Sequence, residues 1–250
     1  MRALAVIAAL LVVTSPVTLA QTPAPPPQLL VLSIIDVKPD MFAEFGELQG
    51  QTMEAQRKGG QAWRETWQGA QFSHPYRVGV LRPLTSFGEL DGQSFTIKGA
   101  GADQARTINE RARRMIQSQR IYALRARPDL GFGTRPAQPN LAVLTTITVS
   151  PGRNSDFEAI IKGDAVPAYK KAGETYLGVS QVVLGGDPNQ YLGLTLYPDF
   201  AGLQKGSPIL RALGPEGFAK YNAKLAGVVS KMEYEVIRFN AALSFAPAQR

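Results

Sequence analysis

The sequence predicts an α+β fold of two tandem βαββαβ modules, and three observations carry that expectation. Residues 141–173 run Leu-Ala-Val-Leu-Thr-Thr-Ile-Thr-Val-Ser-Pro-Gly into a segment holding Phe157, Ile160, Ile161, Ala165, Ala168 and Ala172. Residues 29–60 follow the same course with Phe42, Phe45 and Leu48. Subtracting 112 carries Pro151 onto Pro39 and Phe157 onto Phe45, while 113 carries Asn222 onto Asn109 and Arg238 onto Arg125. A repeat at nearly constant spacing speaks of architecture before any local motif does. Strand-like and helix-like apolar periodicities also alternate in the same order in both copies, with prolines and glycines at the joints.

In the first copy, 29–37 is apolar on both faces, as in a strand of a sheet covered on both sides. Pro39-Asp40 ends it and opens a helix with Phe42, Phe45, Leu48, Thr52 and Ala55 at helical spacing, stopped by Gly59-Gly60. Residues 61–69 alternate with period two, and a turn holding His74-Pro75 leads to a third strand, 76–82, ended by Pro83. Ser86 and Glu89 have capping-box spacing for a short helix. A glycine-rich loop, 98–101, precedes a helix marked by Ile108, Ala112, Met115 and Ile116. Residues 120–127 form the fourth strand, before Pro128. The order is the split βαβ plan of ferredoxin-like modules.

Residues 131–140, with two glycines and two prolines, are the expected linker between a module at 29–130 and one at 141–240. The second copy repeats the order: strand 141–149, a capping box at Ser155 and Glu158 before a helix, and a hairpin of 176–184 and 190–197. Asp199 then caps a short helix, Gly214-Pro215-Glu216 starts a long one, and 232–240 is the last strand. Residues 241–250 are a C-terminal extension expected to cross the neighbouring module or fray.

Residues 1–20 read as a secretory signal: Arg2, an apolar run over 3–13, and Thr18-Leu19-Ala20 as a small-residue cleavage site before Gln21. Residues 21–28 are a proline-rich tether. The expected setting is therefore periplasmic or secreted, with no integral membrane segment after signal removal. There is no cysteine among the 250 residues, so neither disulfides nor thiolate chemistry is available and the core must hold the fold. The net charge of +7 becomes 26 − 20 = +6 without Arg2. Seven arginines lie between Arg106 and Arg127 against the single acid Glu110, a solvated basic face or a surface for an anionic partner. Base-stacking aromatics are not interleaved with them, so nucleic acid is not an expected partner.

A first strand ending in a Pro-Gly type turn, a helix opening Asp156-Phe157-Glu158, a helix ending Ala168-Tyr-Lys-Lys-Ala-Gly173 and a strand Tyr191-Leu-Gly-Leu-Thr-Leu-Tyr-Pro-Asp199 resemble the dimeric α/β-barrel superfamily. Within it they are most similar to stress-responsive and NIPSNAP-like modules. The resemblance covers 29–240 as two fused copies. It implies two sheets packed around a central cavity, closed within one chain, so that a monomer suffices. It also raises haem, which some members hold through a histidine. His74 is the only histidine, its place before Pro75 is explained by turn chemistry, and it has no second ligand beside it, so no metal site and no cofactor are expected.

The candidate ligand-binding residues are Trp63, Glu65, Trp67, Tyr176, Arg125 and Arg238. Trp63, Glu65 and Trp67 share one face of the second strand. If that face lines the cavity, it forms an apolar slot with one carboxylate, suited to an aromatic or hydrocarbon ligand; if it meets the helices, the indoles are core. Arg125 and Arg238 recur at one position of the repeat, as partners for Glu65 or Glu233 or as anion anchors. Glu233 and Glu235 share a strand face without an evident perturbing partner. No catalytic constellation stands out. Three functions remain open: a binder of a small apolar or aromatic molecule between the sheets, a cofactor-free monooxygenase-like enzyme acting on an oxidisable aromatic, and an envelope module whose arginine-rich helix meets an acidic partner.

Overall fold

The computed structural model describes residues 29–246, so the expected signal at 1–20, the tether at 21–28 and the last four residues lie outside the described residues. Eight strands close into one antiparallel barrel in the order β1-β3-β2-β8-β5-β7-β6-β4, with the helices outside. The first module contributes β1 (Leu29–Val37), β2 (Glu65–Gly69), β3 (Arg77–Leu84) and β4 (Ile116–Ala126). The second contributes β5 (Leu141–Val149), β6 (Leu177–Leu184), β7 (Gln190–Tyr197) and β8 (Val229–Phe239). Two seams join the modules: β2 pairs with β8 and β4 with β6. This is the ferredoxin-like, two-module barrel that the sequence implied, and closure removes every sheet edge.

Alternation along each strand divides the side chains between two compartments. On β1, Leu30, Leu32 and Ile34 face the barrel interior, whereas Ile35 and Val37 pack outward with Phe45 and Leu48 of α1 (Phe42–Lys58) and with Ile108 and Met115 of α3 (Ala102–Met115). Both faces are thus covered, which is why the strands read as continuous apolar runs. The second module builds its outer core from Ile147, Val149, Phe157, Ile161, Tyr191 and Tyr221.

Several local expectations are corrected. Pro83 lies inside β3 rather than ending it; β2 pairs with β3 only as far as Leu81, so Pro83 sits where β3 has one partner, the edge-like setting in which a strand admits proline. Residues 98–100 are not a loop but the end of α2 (Phe95–Ala100), with only Gly101 outside it; a Cβ on Gly99 would stand 1.9 Å from the Ala55 carbonyl oxygen, so the glycine admits close packing of α2 on α1. Neither capping box forms. Glu89 accepts from Thr85 and Arg82, and Glu158 is drawn into an ion pair with Arg127. The second-module helix begins at Pro208 rather than at Gly214, which instead breaks it with φ +69 inside α7 (Pro208–Leu225).

The extension after β8 does cross to the other module. Phe245 bridges Arg64 just as Phe132, 113 residues earlier, bridges Leu177, which is itself 113 residues beyond Arg64. Each module therefore hands its terminal segment to its neighbour. Among the described residues no helix is long and apolar enough to cross a membrane.

Candidate functional site

The barrel interior holds a cavity of about 500 Å³, apolar over most of its wall. Strand β2 turns Glu65 and Trp67 into it, with Trp63 just before them, while the intervening Arg64 and Thr66 point outward. Arg64 is 1% exposed under α1 and is held by neutral acceptors only: Gln56 Oε1 at 2.7 Å, Gln49 Oε1 at 2.5 Å and Thr66 Oγ1 at 3.3 Å. Burial without a carboxylate lowers its pKa to about 10, so it stays charged at neutral pH. Arg64 thus lies beneath a helix, while the Glu65 carboxylate and the indoles of Trp63 and Trp67 line the cavity.

Tyr176, which immediately precedes β6, faces the same space. Burial raises its pKa, with Arg135 opposing and Glu65 adding to the effect. Its ring lies over Gly178, where a Cβ would meet the hydroxyl at 2.5 Å. Four of the six predicted residues, Trp63, Glu65, Trp67 and Tyr176, therefore come together. Arg125 and Arg238 do not. Both sit on strand positions adjacent to cavity-facing ones, so alternation turns them outward, and both are exposed. Arg238 donates to Asn140 Oδ1 at 3.2 Å and stacks 5.7 Å above the Phe200 ring.

The cation that meets Glu65 is Arg135, from the linker. Its guanidinium pairs with the carboxylate and lies 5.3 Å from the Trp67 ring centroid, while Trp67 packs edge-on against Phe239 at 5.3 Å. Sequence reasoning missed Arg135 because it lies outside the repeat. One signal could have found it: it is the only charged residue in 131–140.

Toward its other end the interior becomes polar, in a space of about 610 Å³ that shares Leu32, Ile34, Arg77, Leu144, Leu192 and Glu235 with the apolar half. Arg77 Nε donates to Asp36 Oδ1 at 2.8 Å and Nη1 to Glu235 Oε1 at 3.2 Å; Ser118 Oγ donates to Asp36 Oδ2 at 2.8 Å. The hydrogen bond from Arg77 holds the Asp36 carboxyl below its usual range, and Asp36 in turn raises Arg77. Glu235 thus has the partner that the sequence did not disclose, whereas Glu233 pairs at the surface with Lys231. His74 is half-exposed in the β2–β3 turn, 3.9 Å from Asp36, and lines none of these spaces. Its position does not fit an axial ligand to a haem in the barrel. Among the described residues no cluster of three or more His, Cys, Asp or Glu could hold a metal ion.

A second cavity, about 430 Å³, lies outside the barrel between the second module's sheet and its helices. Tyr169, Tyr197 and Tyr221 line it together with the largely exposed Tyr234, and burial raises the hydroxyl pKa values of the first three, that of Tyr197 to about 12. The helices that roof it are irregular. A π turn, Ile161–Ala165, separates α4 (Asn154–Ile160) from α5 (Val166–Lys171), and α7 breaks at Gly214. Such turns displace a helix from its regular path. In the first module the corresponding layer is filled by Phe45, Leu48, Val78, Ile108 and Met115.

No family model matches the sequence, and no curated protein sequence matches it. Solved structures share the fold. An anthrone oxidase-like protein superposes with a TM-score of 0.63 at 13% identity, over 88% of this chain and 94% of that one. A candidate monooxygenase from Lactobacillus acidophilus NCFM gives 0.57 at 12% identity, over 84% and 93%. A chlorite dismutase mutant from Candidatus Nitrospira defluvii gives 0.52 at 8% identity, over 86% and 93%. At these identities the likeness is one of fold.

Proposed function

We propose that the protein binds a small apolar or aromatic molecule inside the barrel, between the two sheets. The observation that carries this is the composition of the 500 Å³ cavity: both tryptophans of the chain, with Tyr176 and Phe132, in a largely aliphatic and glycine wall whose charged groups, Glu65, Arg135, Arg77 and Glu235, are paired with one another. A space of this size and character suits one planar ring system, stacked on the indoles and steered by few polar groups. Because Trp63 and Trp67 are the only tryptophans, intrinsic fluorescence reports occupancy directly. Titration with neutral quinones, flavonoids and fatty acids should give saturable quenching with at least one planar aromatic, lost in Trp67→Leu. Unquenched emission across the panel would refute the reading. Residues 1–20 support a periplasmic or secreted setting, and mature protein should begin at Gln21.

A second reading is a cofactor-free monooxygenase-like enzyme, favoured by the tyrosine-lined cavity of the second module and by the names of two structures that share the fold. There an activated CH2 of an aromatic substrate would become a carbonyl while O2 is reduced, one oxygen atom entering the product and the other leaving as water. Oxygen uptake matched to product, and reduced in Tyr221→Phe, distinguishes the enzyme from the binder.

A further inference from the structure

The inter-module linker closes one end of the apolar cavity. Its Gly131, Phe132, Gly133 and Arg135 form part of the cavity wall. The near end is anchored by Phe132, which exchanges two backbone hydrogen bonds with Leu177 at 3.0 and 3.1 Å. Gly133 follows in the left-handed region at φ +82, where a Cβ would stand 2.0 Å from the Thr175 carbonyl oxygen. The far end is anchored by Asn140, which accepts from the Phe239 N–H at 2.9 Å and donates to the Pro198 carbonyl at 2.6 Å. Between these anchors, among the described residues, 133–139 make no backbone hydrogen bond; Thr134, Pro136, Ala137 and Gln138 are exposed, and Pro139 is buried beside the far anchor. What holds the middle down is Arg135, on Glu65 and on the Trp67 ring.

On the outer side of Arg135 lies a shallower space of about 380 Å³, bounded by 136–138 and by the C-terminal segment from Phe239 to Ala246. The inner and outer spaces share three residues: Trp63, Glu65 and Arg135. These side chains are the partition between a vestibule and the cavity, and one of them belongs to a segment with few other restraints.

We propose that residues 134–138 are a hinged strap and that Arg135 is its latch: a ligand passes from the vestibule into the barrel when the guanidinium leaves Glu65 and Trp67, and the latch then re-forms behind it. The inference rests on the barrel cavity being the binding site. It also narrows the ligand class to uncharged aromatics. Among the described residues the cavity has no free cation to offer, since Arg135 is taken up by Glu65 and Arg77 is shared by Asp36 and Glu235, so an anionic ligand would compete with Glu65 for one guanidinium and leave a carboxylate unpaired in an apolar wall.

The test uses the full chain and the neutral probe N-phenyl-1-naphthylamine, followed by stopped-flow energy transfer from the tryptophans. Arg135→Met should raise the association rate about tenfold, the equivalent of about 1.4 kcal/mol of latch, and Arg135→Lys should restore most of the delay. Salt should speed association in the wild type and not in Arg135→Met. In ligand-free protein, Arg135→Met should also increase acrylamide quenching of the buried Trp67. Wild-type association and wild-type quenching in Arg135→Met would overturn the strap, as would an affinity change arising wholly from dissociation, which would make Arg135 a fixed wall contact. A probe that fails to quench wild-type protein counts against the barrel as binding site, and acrylamide quenching still decides the strap.

Discussion

Glu65→Gln, Arg135→Met and the double substitution measure whether the linker is fastened to the barrel at all. Each side chain of the pair is about one-fifth exposed, 19% for Arg135 and 20% for Glu65, between the indoles of Trp63 and Trp67. Breaking a buried pair from one side costs about 3–5 kcal/mol, and residual solvent contact puts this one near 3. In Glu65→Gln a neutral amide dipole remains beside the guanidinium and a new hydrogen bond to its oxygen would recover about 1 kcal/mol, so the expected loss is about 2. In Arg135→Met the carboxylate is left without a cation among apolar walls, and the loss should be about 3 kcal/mol. The double variant leaves neither charge stranded and should lose about 2 rather than 5, a coupling of about 3 kcal/mol. Urea midpoints followed by tryptophan fluorescence, analysed with a common slope, supply all four corners. Arg125→Met and Arg238→Met are outward-facing controls expected within about 0.5 kcal/mol of wild type. Single losses under about 0.5 kcal/mol that simply add would show that Arg135 and Glu65 are not joined in solution, and the strap would fall with them.

Acid should unfold the barrel through its paired carboxylates. Arg77 and Ser118 depress Asp36, Arg127 and Lys162 depress Asp129, and Arg127 and Tyr191 depress Glu158. Their contribution is complete above the unfolded values of 3.8 and 4.5 and is lost as pH falls through the lower folded ones, so circular dichroism should show stability declining below about pH 4 and not between pH 5 and 8. Gly99→Val should lower stability by at least about 2 kcal/mol, since its Cβ meets the Ala55 carbonyl and the backbone nitrogen of Gly59 rather than a movable side chain; a thermal midpoint within a degree of wild type would refute the close packing of α2 on α1. Trp67→Ala should cost about 3 kcal/mol, the low end for an indole because one face already borders the cavity, and a loss below about 1 would place Trp67 at the surface.

The strands were legible because proline, glycine and period-two alternation bound them, and because both faces of β1 and β5 are apolar. The inward face of β2 was not legible, and the reason is Arg64. Each face of 63–67 carries one charge, Arg64 on one and Glu65 on the other, so alternation alone does not choose between them; here Gln49, Gln56 and Thr66 take up the guanidinium beneath α1, and Trp63, Glu65 and Trp67 turn inward. The recurrence of Arg125 and Arg238 suggested a shared role around Glu65. What they share is exposure on the outer face, since equivalence under a repeat fixes a position in the fold and not a partner. Ser155 and Glu158 had the spacing of a capping box, yet Arg127, arriving from the other module, offers Glu158 a charge-assisted contact stronger than a backbone N–H. Contacts that cross from one module to the other are invisible to a reading that takes the modules singly.

The same point explains why the cavity is lopsided. Adding 113 carries Trp63 onto Tyr176, Glu65 onto Gly178 and Trp67 onto Ser180, and all six residues line the apolar space. The first module supplies bulk and charge, and the second supplies room at the matching positions. Two identical chains could not do this: a glutamate on one sheet would meet its own copy across the axis, and two indoles from each side would fill the space that a ligand needs. Joining the copies in one chain frees the halves to differ, and it also produces a linker at one place only. That linker brings a single arginine to a single carboxylate, so the pair balances where a symmetric pore would carry two of each. The seams β2–β8 and β4–β6 keep the geometry of a dimer, while the contents of the barrel need not obey its symmetry. A flat ligand of the kind proposed would therefore have one aromatic wall to stack on and one open wall to occupy, which would fix its orientation before any polar group is read.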